Sequence, residues 1–331
     1  MTTTLSIAEA ERLVAAAMQR ARTGEAQAAS VARALVAAEA SGQGGHGLRR
    51  VEAYSAQARV GKVDGFAAPE LDRVRPAVLA VDAANGFAYP AFDRVVEELP
   101  AIVAETGIAA AAIRRSHHAG VLGLTVERFA EKGLVALMVA NAPGAMAAWG
   151  GTKPLFGTNP IAFAAPLDAA DPLVIDLSLS KVARGKVMAA RQKGAAIPEG
   201  WALDREGRPT TDPEAALAGT MVPMGDAKGA ALALMVEMLA AGLTGANYAY
   251  EASSLFDDKG DPPGLGQFLI VMDPAALGGA GAVRRLTDLA GEIAGEAATR
   301  LPGRRGLEAR RRAASEGIVV EDDVMAAIAA V

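Results

Sequence analysis

Residues 77–82 read Ala-Val-Leu-Ala-Val-Asp and residues 108–113 read Ile-Ala-Ala-Ala-Ala-Ile, two short apolar runs on either side of a helical pattern at about 90–106. The same alternation continues along the chain, through a helical pattern and two further apolar runs at 121–132, 135–139 and 173–177. Short apolar runs that alternate with amphipathic helices are typical of buried strands in an α/β domain. The centre of the chain is therefore predicted to be α/β.

Both ends of the chain have a different texture from this centre. Residues 6–41 predict two alanine-rich helices, the first opened by the capping box Ser6-Ile-Ala-Glu9, and the tail from about residue 282 returns to charged helical patterns. We expect the two ends to pack together as one helical domain, formed by residues 1–75 and 285–331. An α/β domain at 76–284 would lie between them.

Three further segments complete the predicted organisation. Turn-forming residues are dense at 199–213, which predicts an excursion or hairpin at the surface. The next strong helix is predicted at Lys228–Leu243, and the last strand at Gln267–Asp273.

Composition excludes several classes of protein. The 331 residues carry a net charge of −5 with acids and bases interspersed, so we expect no nucleic-acid partner. With no cysteine, disulfides, iron–sulfur clusters and thiolate zinc sites are excluded. The N-terminal region lacks a basic and then apolar signal, and the apolar stretch 230–243 is interrupted by Glu237 and too short to cross a bilayer. We therefore predict a cytoplasmic protein with no membrane segment.

The chain has only three histidines, and all lie in polar segments flanked by glycine, at Gly45-His46-Gly47 and Ser116-His117-His118-Ala-Gly120. Glycine lets the backbone approach a ligand closely, and imidazole titrates near neutral pH, which suits proton transfer to a carbonyl or imine. We therefore predict that His46 is a proton donor or acceptor. The alternative is that these are turn or capping histidines.

Arg50 lies four residues beyond His46, so the two side chains can face one cleft if a helix begins just after Gly47. A guanidinium fork is the natural partner of a substrate carboxylate. Arg49 competes for this role, and a solvated helix arginine is the alternative for both.

Two more segments contain residues suited to a catalytic or binding role. Asp176 stands inside an otherwise apolar strand, where a carboxylate needs a partner. It is predicted either to orient the catalytic imidazole or to cap the following turn. Residues 224–229 precede a strong helix, so their N–H groups favour an anion such as a dinucleotide pyrophosphate, unless this is an ordinary helix start.

No standard nucleotide motif is present. Residues 278–283 superficially match a dinucleotide-binding loop, but Arg284 stands where the third glycine belongs and too little chain follows for a βαβ unit. No Walker loop, serine elbow or credible metal cluster appears either. From the residues alone, the chain is an α/β enzyme with a histidine-centred site and anion-binding loops.

Taken together, these segments resemble the type 2 malate/L-lactate dehydrogenase family, over nearly the whole chain. The matching motifs, in order, are Gly45-His46-Gly47-Leu-Arg-Arg50, Ser116-His117-His118-Ala119-Gly120, Trp149-Gly-Gly151, Gly157-Thr-Asn-Pro160, Asp176–Ser180 and Ala227-Lys228-Gly229. Several long matches in the right order form a specific signal, whereas any one of them would be weak.

The resemblance implies a homodimer with a non-Rossmann nicotinamide-binding α/β domain in the middle, flanked by a helical domain built from both termini. It implies proton transfer by His46 with help from Asp176, and Arg50 holding the carboxylate of a small 2-oxo, 2-hydroxy or 2-imino acid. It also implies cofactor contacts at His118, Gly120, Val121, Leu122, Thr158, Asn159, Pro160, Leu177, Ser178, Leu179, Ser180, Ala227, Lys228, Gly303, Arg304 and Arg305.

This sequence departs from the family pattern at two positions. Gly45 replaces a serine, which removes a hydroxyl from the substrate side, and Ala119 replaces an aromatic residue, which predicts space near the nicotinamide. The Gly-His-Gly form is similar to the sulfolactate dehydrogenase subgroup. Reductases of Δ1-piperideine-2-carboxylate and Δ1-pyrroline-2-carboxylate share the same scaffold.

The predicted function is NAD(P)H-dependent interconversion of a small 2-oxo acid, 3-sulfolactate-like or malate-like, and its 2-hydroxy acid. Reduction of cyclic 2-imino acids is the alternative. Lys228, Arg304 and Arg305 favour NADPH over NADH. A nicotinamide-independent lyase or hydrolase would also use His46 and an arginine clamp, and a non-catalytic oligomerisation module would bind neither cofactor nor substrate. The choice between C=O and C=N, the stereochemistry and the pathway stay open.

Overall fold

The computed structural model describes residues 2–331. The helices are α1 Ile7–Arg20, α2 Glu25–Ala40, α3 Val51–Val60, α4 Ala88–Thr106, α5 Leu122–Ala130, α6 Arg184–Gln192, α7 Pro213–Ala218, α8 Ala227–Glu237, α9 Pro274–Gly278, α10 Ala282–Gly295, α11 Arg304–Glu316 and α12 Asp322–Ala330. The strands are β1 Thr2–Leu5, β2 Glu70–Arg75, β3 Val78–Asp82, β4 Ile108–Ser116, β5 Val135–Ala140, β6 Met146–Ala147, β7 Pro154–Phe156, β8 Ile161–Leu167, β9 Ala170–Leu177, β10 Ala202–Leu203, β11 Pro209–Thr210, β12 Thr220–Met221, β13 Leu265–Met272 and β14 Ile318–Glu321.

A mixed seven-stranded sheet forms the centre, in the order β2-β3-β4-β13-β5-β8-β9. Strands β3 and β4 are parallel and are joined by α4, whereas the other neighbours in the sheet are antiparallel. The apolar runs that were predicted as strands are β3, β4, β5, β9 and β13 of this sheet. The α/β class is confirmed.

A smaller sheet, in the order β11-β10-β12-β6-β7, lies beyond the central one. The predicted excursion at 199–213 contains the antiparallel pair β10 and β11, in which Ala202 faces Thr210. A second apolar core packs against this smaller sheet and includes Met146, Leu179 and Val236. The turn-rich segment is thus a hairpin, as expected.

The two ends of the chain meet. Strand β1 pairs antiparallel with β14, from Thr2 opposite Glu321 to Leu5 opposite Ile318. The predicted capping box is present, because Ser6 Oγ accepts from the N–H of Glu9 and Glu9 accepts from the N–H of Ser6.

The terminal helices and the central sheet share one continuous core. Val14 and Leu35 from the terminal helices, and Ile113 and Val271 from the sheet, belong to it and are fully buried. Each such side chain contributes about 1.5–3 kcal/mol by leaving water. The sheet begins at β2, before the boundary placed at residue 76, and the two-domain division stays a prediction.

Helix α8 begins at Ala227, one residue before the predicted start, and passes into a π-helical turn at Met238–Gly242. This turn lies directly on β13, where a Cβ on Gly266 would stand 1.7 Å from the carbonyl oxygen of Ala240. Only glycine permits that approach. Within residues 2–331, no helix is both long enough and apolar enough to span a membrane.

Candidate active site

His46 and Arg50 lie on the connection between α2 and α3, which consists of two short 3₁₀ turns, Gly44–His46 and Leu48–Arg50. Glu39 of α2 shapes this connection, because its Oε2 accepts the N–H of Leu48 at 2.8 Å. A Cβ on Gly47 would lie 2.3 Å from the same oxygen. The glycine after His46 is therefore required for Glu39 to hold the loop.

All three histidines meet in one place. The rings of His46 and His118 are stacked, with centroids 5.2 Å apart and planes 17° apart. Nδ1 of His118 lies 2.6 Å from the hydroxyl of the fully buried Tyr54, and Nε2 of His117 lies 2.7 Å from Oε1 of Gln57. We call these five residues the histidine corner.

Burial keeps the histidine corner uncharged. Burial, together with the positive charge of Arg50, lowers the pKa of His46 to about 4. Burial likewise lowers the pKa of His117 to about 3 and that of His118 well below its usual value. Nδ1 of His46 is buried and unpartnered. Nε2 makes no hydrogen bond within residues 2–331, so this atom is the one available to exchange a proton with a ligand.

Arg50 faces the same site, whereas Arg49 does not. Nε of Arg50 donates to the carbonyl oxygen of Gly45 at 2.8 Å, and the guanidinium lies over the ring of Phe256 at 4.6 Å. Nη1 and Nη2 of Arg50 have no partner within the described chain and can form a fork for a carboxylate. Arg49 points to the C-terminal segment instead, where it pairs with Glu321 and, at 3.1 Å, with Asp323.

The two departures from the family pattern have different structural consequences. A Cβ added to Gly45 would meet no atom within 4 Å, so the space beside His46 is open. Ala119, in contrast, is only 6% exposed and packs in the main core. The expectation that Ala119 opens space near the nicotinamide is therefore wrong, because protein atoms fill the space around it.

Asp176, at the end of β9, does not contact His46. Its Oδ2 accepts the N–H of Gly123 at 2.8 Å. Burial raises the pKa of this carboxyl group to about 6, against the opposing effect of that hydrogen bond. Within residues 2–331, no hydrogen bond or ion pair links Asp176 to the histidine corner, so in one chain it holds the start of α5.

Two helix N-termini converge on this end of β9. A Cβ on Gly123, in the first turn of α5, would lie 3.2 Å from Cγ1 of Val174 and 3.0 Å from Cβ of Asp176. Gly303, which precedes α11 with φ of +81°, would place a Cβ 2.7 Å from the carbonyl oxygen of Val174. Helix N-termini present free N–H groups and a partial positive charge, which favour phosphate.

The start of α8 joins the same region through the backbone. The N–H of Leu179 donates to the carbonyl oxygen of Thr158 at 2.8 Å, and the N–H of Met224 donates to that of Leu179 at 2.7 Å. We call residues 120–123, 158–160, 174–180, 224–228 and 303–305 the β9 cradle. It contains the segments that the family resemblance assigns to the cofactor, and His118 connects it to the histidine corner.

The β9 cradle fits a dinucleotide. Its glycines leave no room for side chains where the helices approach β9, and its helix starts offer N–H donors to phosphates. Lys228 and Arg305 are exposed, and their side chains form no hydrogen bond or ion pair within the described residues, so they are free to meet an anion. Arg304 is instead engaged by Asp171 at 2.7 Å.

Three residues predicted to touch the cofactor cannot do so in this conformation. Leu122 is 1% exposed, and Asn159 and Leu179 are both 0% exposed. The amide of Asn159 donates to Glu237 at 2.8 Å, and Leu179 fills the second core. These residues support the β9 cradle from behind. The other predicted contacts lie in the same segments, at Gly120, Val121, Pro160, Leu177, Ser178, Ser180 and Ala227.

Several residues of the site were not predicted from the sequence. Tyr54 and Gln57 follow Arg50 at helical spacing on α3, which could have placed them near it, but nothing in the pattern indicated that they bind histidines. Lys62 follows α3 closely, but nothing in the pattern indicated its contacts, whereas Phe256 and Glu237 lie far from His46 and Arg50 in sequence. Only the fold brings them close.

Comparison with known proteins identifies relatives over almost the full chain. The family model of malate/L-lactate dehydrogenase matches residues 5–329. The chain is 50% identical over 325 residues to a (2R)-3-sulfolactate dehydrogenase (NADP(+)) of Chromohalobacter salexigens, covering 98% of this chain and 97% of the relative. It is 41% identical over 319 residues to a Δ1-pyrroline-2-carboxylate/Δ1-piperideine-2-carboxylate reductase of Pseudomonas putida, covering 95% and 92%.

Solved structures agree. The crystal structure of Δ1-piperideine-2-carboxylate reductase from Pseudomonas syringae pv. tomato matches with a TM-score of 0.94 at 38% identity, and the match covers 99% of both chains. The resemblance seen in the motifs is thereby confirmed along the whole length of the sequence. The chain belongs to the malate/L-lactate dehydrogenase family.

Proposed function

We propose that this chain is an NADPH-dependent dehydrogenase that interconverts a small 2-oxo acid and the matching 2-hydroxy acid, with 3-sulfopyruvate and 3-sulfolactate as the first candidates. The observation that carries the proposal is the unpaired fork of Arg50 beside the open ring nitrogen of His46. Family membership makes the chain an oxidoreductase, and the relative at 50% identity is named for NADP(+) and (2R)-3-sulfolactate. The open space beside Gly45 suits a substrate larger than pyruvate.

In this proposal Arg50 holds the substrate carboxylate through Nη1 and Nη2 and directs C2 of the substrate toward His46. The β9 cradle would hold NADPH, whose nicotinamide would supply the hydride to C2. His46 gives a proton from Nε2 to the developing oxyanion and takes it back in the oxidative direction.

The low pKa of His46 makes the substrate part of its activation. In the free chain, burial and the charge of Arg50 keep the imidazole neutral at pH 7. A carboxylate on Arg50 cancels that positive charge, which raises the pKa of His46 and favours the proton donor form. The neutral imidazole is meanwhile ready to act as a base in oxidation.

Cyclic 2-imino acids are the second candidate substrates. The close match to Δ1-piperideine-2-carboxylate reductase, with a TM-score of 0.94, favours them specifically. They carry the same carboxylate for Arg50 and offer a nitrogen to His46 in place of an oxygen.

Loss of absorbance at 340 nm decides between the candidates. Purified protein is given NADPH or NADH with oxaloacetate, pyruvate, 3-sulfopyruvate, Δ1-piperideine-2-carboxylate or Δ1-pyrroline-2-carboxylate. Turnover of 3-sulfopyruvate with NADPH supports the proposal, and turnover of the imines alone makes the chain an imino acid reductase. No turnover and no cofactor binding would overturn both and favour a nicotinamide-independent lyase or hydrolase.

We further propose that the chain forms a homodimer through α8 and the turn that follows. Apolar side chains are exposed there in the isolated chain, including Met238 at 59% and Leu243 at 69%. A contiguous apolar surface of this kind is typical of an interface. Met238→Glu and Leu243→Glu should convert a dimer to a monomer in light scattering, whereas Leu277→Glu, which changes an equally exposed leucine on α9, should not.

A cytoplasmic location completes the proposal. The absence of cysteine suits a reducing compartment, and the reaction draws on an intracellular pool of nicotinamide cofactor. Fractionation of expressing cells tests it.

A further inference from the structure

The loop at residues 253–261 is anchored to the segment after α3 by a buried lysine. The side chain of Lys62, which follows α3, is 1% exposed. Its ammonium group donates to the carbonyl oxygens of Ser254 at 2.6 Å, Asp257 at 3.0 Å and Lys259 at 2.6 Å. An ammonium has three donors. All three are used on this loop, so the buried charge is satisfied by backbone dipoles.

A second contact comes from the histidine corner itself. Nε2 of Gln57 also donates to the carbonyl oxygen of Asp257, at 3.0 Å, while Oε1 accepts from His117. Oδ1 of Asp257 lies 3.5 Å from the ammonium of Lys62. Asp257 is therefore held by two residues, Gln57 on α3 and Lys62 just after it.

Phe256 lies between the anchored carbonyl groups of Ser254 and Asp257. Its ring lies 4.6 Å from the guanidinium carbon of Arg50, and the side chain is otherwise open, with the residue 42% exposed. With Nε engaged by Gly45 and one face covered by Phe256, Arg50 keeps only the end of its fork for a ligand. The cation–π contact with Phe256 and the hydrogen bond to Gly45 both hold the guanidinium group of Arg50 in one direction. A guanidinium held in this way favours bidentate binding of a carboxylate.

We propose that Phe256 determines substrate affinity by holding Arg50 in its carboxylate-binding direction, and that Lys62 is a positioning residue that keeps Phe256 there. This rests on the proposed function, in which Arg50 holds the substrate carboxylate. The buried charge of Lys62 thus influences substrate binding through the loop at 253–261, which lies far from Lys62 in the sequence. The β9 cradle takes no part in it.

Steady-state kinetics of Phe256→Ala and Lys62→Met test the proposal. We expect the KM for the oxo or imino acid to rise about 3- to 30-fold in Phe256→Ala, the range that a cation–π contact spans. The rise in Lys62→Met should be measurable but no larger, because Lys62 acts through Phe256. Arg50 binds the substrate carboxylate equally tightly in the ground and transition states, so kcat should stay within about twofold. The Kd for NADPH should also stay within about twofold, because the cofactor binds in the β9 cradle.

Matched variants separate this role from general damage. Phe256→Tyr keeps the ring and should keep the KM, while Phe66→Ala removes another exposed phenylalanine, at 61%, far from the site. Lys193→Met removes an exposed lysine and serves as the control for Lys62→Met. An unchanged KM in Phe256→Ala, or a loss that falls on kcat and NADPH binding, would overturn the proposal.

Two measurements need no turnover. Hydrogen exchange of the amides at 253–261 should be faster in Lys62→Met than in Lys193→Met, and equal exchange would overturn the role of Lys62 even if that variant is unstable.

Calorimetry with the protein saturated with NADP+ uses pyrrole-2-carboxylate as the probe. If the wild type reduces no candidate substrate, the proposed function fails, while weaker probe binding in Phe256→Ala still supports this inference. Equal binding, or none to the wild type, contradicts it.

Discussion

The histidine corner and the β9 cradle adjoin each other but are built in opposite ways. The corner consists of side chains that contact one another: His118 contacts Tyr54 and His46, and His117 contacts Gln57. The cradle consists of backbone, with glycines that let α5 and α11 approach Val174 and Asp176. Substitutions in the histidine corner should therefore impair catalysis, which depends on side-chain chemistry. Substitutions that change the backbone of the β9 cradle should instead impair cofactor binding.

The largest effect is expected for His46→Ala. General acid catalysis by a positioned histidine is worth about 10² to 10⁴ in rate, so kcat should fall by that factor. Gln43→Ala, an exposed change in the same connection, is the control and should keep kcat. Wild-type turnover in His46→Ala would remove this residue from the mechanism.

Arg50→Ala comes next. Hydrogen bonds to a charged group are worth about 1.5–3 kcal/mol, so kcat/KM for the anionic substrate should fall about 10- to 150-fold. Arg49→Ala removes a neighbouring arginine that pairs with Glu321 and Asp323, and kcat/KM should remain near the wild-type value. Equal losses in both variants would contradict the assignment of the carboxylate fork to Arg50.

Acid should destabilise the corner through its histidines. Burial lowers the pKa of His117 from 6.5 to about 3, so the unfolded chain takes up a proton first as the pH falls. Its contribution to stability is complete above pH 6.5 and is lost as the pH falls toward 3. At pH 5 the loss is about 2 kcal/mol.

Urea unfolding at pH 7 and pH 5 measures this loss. The difference in the free energy of unfolding between the two pH values should be about 2 kcal/mol smaller in His117→Gln than in the wild type. A difference that does not change with the substitution would show that His117 does not titrate as its burial requires.

The smallest effect separates two roles of Asp176. The family resemblance makes it a helper of His46, whereas the structure places it on the N–H of Gly123. Asp176→Asn keeps an oxygen acceptor for that N–H, so we expect kcat to stay within about tenfold, since a single neutral hydrogen bond is worth about 0.5–1.5 kcal/mol. A fall in kcat as large as that of His46→Ala would restore the helper role.

These two regions also differ in how far the sequence predicts them. The rare histidines among glycines indicated His46, and its spacing to Arg50 indicated one shared cleft. The arrangement of strands was not predictable in the same way, because β13 enters the sheet between β4 and β5 from a distant part of the chain.

Most of the β9 cradle was predicted only through the family resemblance, since backbone geometry leaves little trace in residue type. The exception is the helix start at 224–229, where the sequence itself indicated an anion site. That resemblance named whole segments, and it therefore included Asn159 and Leu179, whose side chains face the interior. Lys62 and Phe256 carried no sequence signal at all. A lysine that binds three carbonyl groups cannot be distinguished from a surface lysine until the loop it binds is placed.

Titration of NADPH by its fluorescence tests the central claim, that chemistry and cofactor binding reside in separate regions. The proteins compared are the wild type, His46→Ala, Gly303→Ala and Gly61→Ala. Gly61 has the same φ of +81° as Gly303 but no atom within 4 Å of an added Cβ, so it controls for backbone strain. We predict that Gly303→Ala alone weakens NADPH binding, by about 2- to 30-fold, the range of anion stabilisation at a helix N-terminus. Loss of binding in His46→Ala, or equal binding in Gly303→Ala and Gly61→Ala, would contradict the account.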